Sequence, residues 1–331
     1  MKPDFVSIVV PTLNEEAYIE RTLASLALAD GEYEILVMDG GSTDRTREIV
    51  QRLSDSDPRI RPVHNPGRIQ ASAMNMAAKL ADHRASILVR ADAHCGYPEG
   101  FARAVATALT VNGAQSVVVP MVTEGDETCF QRAVAAAQNS KFGNGGSAHR
   151  TAAGKSGWVD HGHHAGFSRS FFLKLGGYDE SFAVNEDAEF DIRVHKAGGR
   201  VWMEMSCLCV YHPRKTPLSL WRQYYGYGKG RARTTLKHKV RPRLRQLVPV
   251  AAFIGSAFGL AVSPFFAPAL VLPVGYVGLC GALGLYEVKK SGAGKCGAGM
   301  GAAFAIMHMA WGAGFITNSL RLNISNMESA T

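Results

Sequence analysis

Between Met205 and Gln246 the sequence has no aspartate or glutamate, although 11 lysines and arginines fall there. Between Leu247 and Tyr286 it has no charged residue in 40 positions. The net charge of +8 is therefore local. A basic run that ends where an uncharged apolar region begins fits a membrane surface better than nucleic acid, so no nucleic-acid partner is expected. The six cysteines (Cys95, Cys129, Cys207, Cys209, Cys280 and Cys296) form no C-x-x-C pair. That spacing excludes a paired-cysteine zinc site and a disulfide framework, and predicts reduced, mostly buried thiols. Met1 to Phe5 offers no basic stretch leading into a long apolar run, and Val6 to Val10 is too short to serve as one. The first two thirds of the chain are therefore expected in the cytoplasm. No G-x-G-x-x-G follows the first strand-like run, which argues against a dinucleotide enzyme.

What is present begins with periodicity. Four short apolar runs start at Val6, Tyr33, Ile60 and Ile87, each 27 residues after the last. That spacing accommodates a strand, a crossover helix and two turns, and predicts parallel strands with right-handed connections. Helical stripes lie between them: Tyr18, Leu23 and Leu26; Ile49, Val50 and Leu53 after a Ser42-Thr43-Asp44 start; and an Ala- and Met-rich segment over 68–81. At 331 residues the chain has room for one large domain or two smaller ones.

The chemistry gathers at the carboxyl ends of these runs, where open α/β sheets bind ligands. Ile87-Leu88-Val89-Arg90 leads into Asp92-Ala93-His94. Two metal-competent side chains separated by one residue point to the same side of an extended backbone and could share a divalent cation; a polar turn is the plainer reading. Asp39, at the tip of the second run, either starts a turn or accepts hydrogen bonds from a ribose or a uracil nitrogen, with Gly40 and Gly41 allowing close approach.

Pro11-Thr12-Leu13-Asn14-Glu15-Glu16, Asp39-Gly40-Gly41-Ser42-Thr43-Asp44 and Asn185-Glu186-Asp187, in that order, resemble the family 2 glycosyltransferases, inverting enzymes of GT-A fold that use nucleotide sugars. The resemblance spans roughly residues 4 to 215. With Arg90-Ala-Asp-Ala-His-Cys and the Gly-Tyr-Gly-Lys-Gly-Arg-Ala-Arg stretch, it is most similar to bacterial exopolysaccharide glucosyltransferases of the succinoglycan type. The resemblance implies that Pro11, Thr12 and Glu15 border the nucleotide, that Asp39 contacts the uracil, and that Arg68 approaches the base or diphosphate. It implies Asp92 at the donor and the metal. The family usually carries Asp-x-Asp there; His94 replaces the second acid, which shifts the preference toward manganese over magnesium. Related enzymes with Asp-x-His recruit a further histidine from downstream, and His212, after a strand read over Arg200 to Tyr211, is the candidate third ligand or else a surface histidine.

Residues 98–112 read as a helix and Gln115 to Pro120 as a strand. Thr123 to Trp158 is Gly- and Asn-rich, with a short helix over Cys129 to Asn139, and is the candidate for a mobile loop over the donor. In Asp160-His161-Gly162-His163-His164, strand alternation puts His161 and His163 on one face and His164 on the other. Structural or substrate-lining roles outweigh zinc, and the resemblance makes His163 and His164 acceptor-lining. Glu186 and Asp187 open a helix through Phe190, Val194 and Ala197, with Asp187 on the apolar stripe. Partial desolvation there predicts a raised pKa and a general base; a helix-dipole role is the alternative. The resemblance favours the base.

Thr216 to Gln246 mixes tyrosines and Trp221 with cations, as interfacial helices do. The Gln-x-x-Arg-Trp of processive synthases is reduced to Gln223-Tyr-Tyr-Gly226-Tyr227, which favours addition of a single sugar. Leu247 to Tyr286 is long enough for two membrane spans, and Cys296 to Leu320 for a third. Basic residues before the first span and Lys289, Lys290 and Lys295 between the second and third place both on the inside and the C-terminus outside. The expected organisation is an α/β, GT-A Rossmann-like mixed-sheet domain over 1–215, interfacial helices over 216–246, and a C-terminal helical transmembrane region over 247–331. The implied reaction moves one hexose, glucose from UDP-glucose, in β-linkage onto a polyprenyl-diphosphate-linked oligosaccharide at the inner face of the bacterial cytoplasmic membrane. It needs Mn2+ or Mg2+ and works beside other exopolysaccharide assembly proteins. A processive synthase and a non-catalytic nucleotide-sugar-binding subunit are the rivals.

Overall fold

Apolar residues occupy successive positions of the first strands rather than alternate ones, the pattern of strands covered on both faces. The computed structural model, which describes residues 5–27, 32–125, 127–150, 154–291 and 294–328, bears this out. Residues 1–4, part of the N-terminal stretch considered above, lie outside the described residues. The chain forms two compact units, residues 1–122 with 151–211, and residues 123–150 with 212–331.

The first unit opens with β1 (Phe5–Thr12), α1 (Ile19–Leu26), β2 (Tyr33–Asp39), α2 (Thr46–Ser56), β3 (Ile60–His64), α3 (Gln70–Leu80) and β4 (Ala85–Arg90). β1 pairs in parallel with both β2 and β4, and β2 with β3, as the 27-residue spacing requires. Val6, Ile8 and Val10 enter one core with Ile35, Val37, Ile87 and Val89, while Val9 joins Leu36, Met38 and Leu88 in the other. A short β5 (Cys95–Gly96) and α4 (Phe101–Asn112) follow, then β6 (Ser116–Val119) and β7 (Met121–Thr123).

In the second unit the insert over 123–150 contributes α5 (Cys129–Asn139) and α6 (Lys141–Asn144). The first unit resumes with β8 (Gly157–Val159), β9 (His163–Ser168), α7 (Arg169–Lys174), α8 (Glu186–Lys196), β10 (Val201–Met203) and β11 (Cys209–Tyr211). The large sheet has the order β3-β2-β1-β4-β9-β6-β10-β8, and β9 runs antiparallel to both β4 and β6, which makes the sheet mixed. β5, β11 and β7 form a small second sheet. The single strand read over 200–211 is thus two strands in different sheets. Between them Glu204 accepts from the Ser206 amide and hydroxyl and from Trp202 Nε1, which turns the chain. Arg169 ties α3 to β4, its guanidinium donating to the carbonyls of Ala78, Ala81, Asp82 and Ala85.

The second unit is helical: α9 (Pro217–His238), α10 (Leu244–Val262), α11 (Val271–Ser291) and α12 (Met300–Glu328) join α5 and α6. Among the described residues three segments, Leu244–Val262, Ala267–Lys290 and Gly294–Leu322, are long and apolar enough to cross a membrane. Of residues 123–158, read above as the candidate mobile loop over the donor, 123–150 fall in this unit and include two helices. The Ala- and Val-rich face of α5 is apolar enough to pack with Met300, Ala303, Phe304 and Met307 of α12, and Cys129 is disulfide-bonded to Cys296. The thiols are therefore not all reduced, which corrects the reading from spacing alone; Cys95, Cys207, Cys209 and Cys280 are unbonded to one another and buried.

Small residues let these helices touch. A Cβ on Gly228 of α9 would lie 2.0 Å from the Trp311 carbonyl oxygen, and one on Gly314 of α12 2.1 Å from that of Tyr225. Gly278 of α11 has open space instead. Glycine to alanine inside a helix ordinarily stabilises by about 1 kcal/mol. Gly278→Ala should therefore leave the melting temperature in detergent unchanged or raised, whereas Gly228→Ala should lower it; equal melting of the two variants would show that α9 and α12 are not in backbone contact.

Candidate functional site

The loops after β1 and β2 are clasped together at the carboxyl end of the sheet. Asn14, at φ 57°, donates its amide to Ser42 Oγ, and its side-chain oxygen accepts from the Thr43 amide. The Glu15 amide donates to Thr46 Oγ1, and the Gly40 amide to the Thr12 carbonyl. A Cβ on Gly40 would meet the Arg68 Cα at 3.3 Å and the Thr12 carbonyl at 3.5 Å, so only glycine lets these three segments converge without displacement. Thr12, Asp39 and Arg68 are thereby brought to one end of the sheet, next to Pro11. The Asp39 carboxylate accepts from the amides of Gly41 and Ser42 and from Ser42 Oγ at 2.5 Å. It therefore does build the turn, and its 14% exposed side chain is largely satisfied within its own loop.

β1 and β4 are neighbours whose following connections lead to opposite sides, the kind of crevice in which open sheets take ligands. Across it, His94 Nδ1 lies 3.0 Å from Glu15 Oε1. The 92–95 turn is pinned from beneath by buried Thr22, whose hydroxyl donates to the Ala93 carbonyl at 2.8 Å, and by the Asp92 amide, which donates to Tyr97 Oη at 2.5 Å.

Asp92 is the most heavily engaged group. It accepts from Gln70 Nε2 at 2.7 Å and from Arg90 Nε at 3.2 Å, and its other oxygen lies 3.6 Å from His163 Nε2. Burial pushes its carboxyl up, but Arg90, His163 and His94 together hold it well below the usual carboxylate range. Asp92 is thus an anion at any working pH. Asp92 and His94 belong to one short turn, as the x-spacing requires. His212 falls in the other unit, and among the described residues no group of three His, Cys, Asp or Glu side chains could hold a metal ion. The three-residue ligand set expected above is not assembled in this structure.

α8 opens beside this cluster. Asn185 caps it in the left-handed region at φ 69°, which asparagine tolerates better than most residues. Glu186 Oε1 lies 3.6 Å from Arg90 Nη1. The two acids divide differently from the reading above. Burial and the adjacent Asp187 charge push Glu186 up to about 7, against the opposing pull of Arg90. Asp187 is also pushed up by burial, but the imidazoles of His161 and His164 and the Arg90 guanidinium outweigh this and hold it below its ordinary value. Position on the apolar stripe predicted the desolvation and missed the imidazoles and the guanidinium beside it, which come from the β9 region and β4. Glu186 is therefore suited to hold a proton near neutrality, and Asp187 to accept one.

His163 and His164 take opposite sides of β9, as alternation predicts. His163 faces Asp92, whereas His164 is 1% exposed with both ring nitrogens bonded inside the protein, so it does not line an acceptor pocket. His161 precedes the strand, where alternation does not apply, and shares Asp191 with His164. Gln70, Tyr97, Tyr178 and Asp191 were not singled out by the sequence. Only Arg90 was flagged there, as part of a motif, and its i, i+2 spacing from Asp92 would have placed both on one side of the strand.

Comparison with known proteins agrees with this architecture. The model of glycosyl transferase family 2 matches residues 7–176. The succinoglycan biosynthesis protein ExoA of Rhizobium meliloti is 44% identical over 315 residues, 93% of each chain. Among solved structures, the mannosyltransferase PcManGT of Pyrobaculum calidifontis, in complex with GDP-Man and Mn2+, superposes with a TM-score of 0.58 at 19% identity, over 96% of this chain and 87% of that one. With the clasped loops after β1 and β2, the Asp92 turn and the acidic pair of α8 in one mixed-sheet unit, these matches establish that the chain belongs to glycosyl transferase family 2 and is a glycosyltransferase of GT-A fold.

Proposed function

We propose that the chain transfers one hexose, glucose from UDP-glucose, in β-linkage to a polyprenyl-diphosphate-linked oligosaccharide during synthesis of a succinoglycan-type exopolysaccharide. The observation that carries the reading is that a single arginine, Arg90, lies within 3.6 Å of both the Asp92 turn and the acidic pair that opens α8. Donor and acceptor chemistry therefore meet at one place on the sheet. The 44% identical relative, named for succinoglycan biosynthesis, supports the product class. The three candidate spans and the basic segment support a lipid-borne acceptor at a membrane.

Asp187, ionised at neutral pH, takes the proton of the acceptor hydroxyl as that oxygen attacks the anomeric carbon from the face opposite UDP, so an α-linked donor gives a β-linked product. Glu186, protonated below about pH 7, keeps a second negative charge away from the incoming nucleotide. Pro11, Thr12, Glu15, Asp39 and Arg68 border the nucleotide, and His163, which faces Asp92, lines the acceptor site.

The donor set at the Asp92 turn fits a divalent cation: an anionic carboxylate and an imidazole on one turn, with diphosphate oxygens of the donor to complete the shell. A cation bound there would offset charge building on the leaving diphosphate. The GT-A relative holding GDP-Man and Mn2+ supports the need for such an ion.

Three outcomes test this reading. Asp187→Asn should lower transfer from labelled UDP-glucose by at least about 100-fold while calorimetry finds UDP affinity little changed; turnover above a tenth of wild type would remove Asp187 as the base. His94→Asp should keep activity but move the optimum from manganese toward magnesium, and His94→Ala should lose most activity with either ion; wild-type behaviour of His94→Ala across a manganese titration would reduce His94 to a turn residue. The third concerns sidedness. The lysines at 289, 290 and 295 favour a cytoplasmic loop between the second and third spans, and Cys296 lies next to them. A cytoplasmic loop would expose the Cys129–Cys296 bond to reduction, so in intact cells both cysteines should react with a membrane-permeant alkylating agent even though the structure joins them. Protection of both until a reductant is added would place the loop outside and reverse the topology.

A further inference from the structure

A chain of buried polar side chains runs through the core of the first unit. Asp191, Tyr178 and His164 are each no more than 2% exposed, and Arg90 5%. Asp191 Oδ1 lies 2.8 Å from His164 Nε2, and Asp191 Oδ2 lies 2.8 Å from His161 Nδ1. His164 Nδ1 lies 2.7 Å from Tyr178 Oη, which accepts from Arg90 Nη1 at 3.3 Å. Arg90 in turn reaches Asp92 and Glu186.

Each donor along this chain can be assigned. Burial pushes Asp191 up, but its two imidazole partners hold it at about 2, so it can only accept. His164 Nε2 therefore carries hydrogen. Tyr178 Oη already receives the Arg90 hydrogen, and its own hydroxyl hydrogen must go to His164 Nδ1, because a second donor there would leave a buried O–H unmatched. The imidazole ring is also fixed sterically: it stacks on Tyr178 at 5.8 Å with planes 10° apart, and Phe167 and Phe190 meet it edge-on.

A set of buried charges is a poor way to fill a core. Apolar residues of similar volume often stabilise as well or better, and phenylalanines already surround this site. What the chain does achieve is geometric. Asp191 lies four residues after Asp187, hence on the same face of α8, and it holds two imidazoles, those of His161 and His164, against that helix. Its other end fixes the arginine that clamps Asp92.

We propose that Asp191 is a positioning residue for glycosyl transfer, holding His161 and His164 in place so that His164, through Tyr178 and Arg90, sets the base helix and the Asp92 turn in one mutual geometry. The inference rests on Asp187 and Asp92 serving the reaction as described above.

The test is a double-mutant cycle on the full chain in native membranes. Asp191→Asn and Tyr178→Phe should each lower kcat by about 10- to 100-fold, the range found for groups that orient ligands from behind. The KM for UDP-glucose should change less than threefold. Because the two residues act through one chain, the double variant should be no slower than the slower single. Losses that multiply, or a Tyr178→Phe enzyme with wild-type kcat, would overturn the proposal. Tyr178→Phe keeps the ring and removes one hydroxyl, so it remains decisive if Asp191→Asn does not fold. Transfer is read both from labelled UDP-glucose and from the lipid-linked saccharide accumulated by producing cells. Wild-type membranes inert to UDP-glucose, alongside cells that make the saccharide, would remove the donor assignment, and the same cycle read in cells would still decide the positioning role.

Discussion

The buried guanidinium of Arg90 is the constraint on which the site depends. It sits at the end of β4, almost without exposure, and a lone charge there would cost several kcal/mol. Its compensation comes from three directions: Asp92 two residues on, Glu186 at the start of α8, and the hydroxyl of Tyr178. Removing any one leaves part of the charge unmatched. The positions of a strand end, a helix start and the intervening 175–185 segment are thus coupled by electrostatics, with the apolar core supplying only the walls.

The same coupling explains why two adjacent carboxylates behave differently. Glu186 and Asp187 follow one another on a helix and share its dipole, so their chain position does not distinguish them. Glu186 shares Arg90 with Asp92 and Tyr178 and is left protonatable near neutrality, while Asp187 has the two imidazoles from the β9 region as well and remains an anion. Two acids set apart by their neighbours are the usual arrangement where one group must hold a proton and another must accept it.

The second unit is governed by a different force. Three of its segments are long and nearly uncharged, and close approaches to them use glycine, as between Gly228 of the basic α9 and Gly314 of α12, where backbone meets backbone. Where such helices cross a membrane the hydrophobic effect contributes little between them, and packing comes from contact area. The insert over 123–150 is recruited by the same logic, through the Ala and Val face of α5.

By itself the sequence determined the alternation of strands and helices at 27-residue intervals, their parallel order, and the placing of the Thr12, Asp39 and Asp92 turns at one end of the sheet. These follow from local periodicity and from the handedness of crossovers, which act over a few tens of residues. It also determined the three apolar segments, because length and absence of charge are properties of a single stretch. Tertiary structure alone decided which neighbours each ionisable group would have. Asp191 meets His164 across 27 residues, Arg90 meets Tyr178 across 88, and Cys129 meets Cys296 across 167. No local pattern encodes such pairings. The sign of the Asp187 shift, the burial of His164 and the fate of the 123–150 segment all depend on them, because charge–charge and packing energies act between residues that only the completed fold brings together.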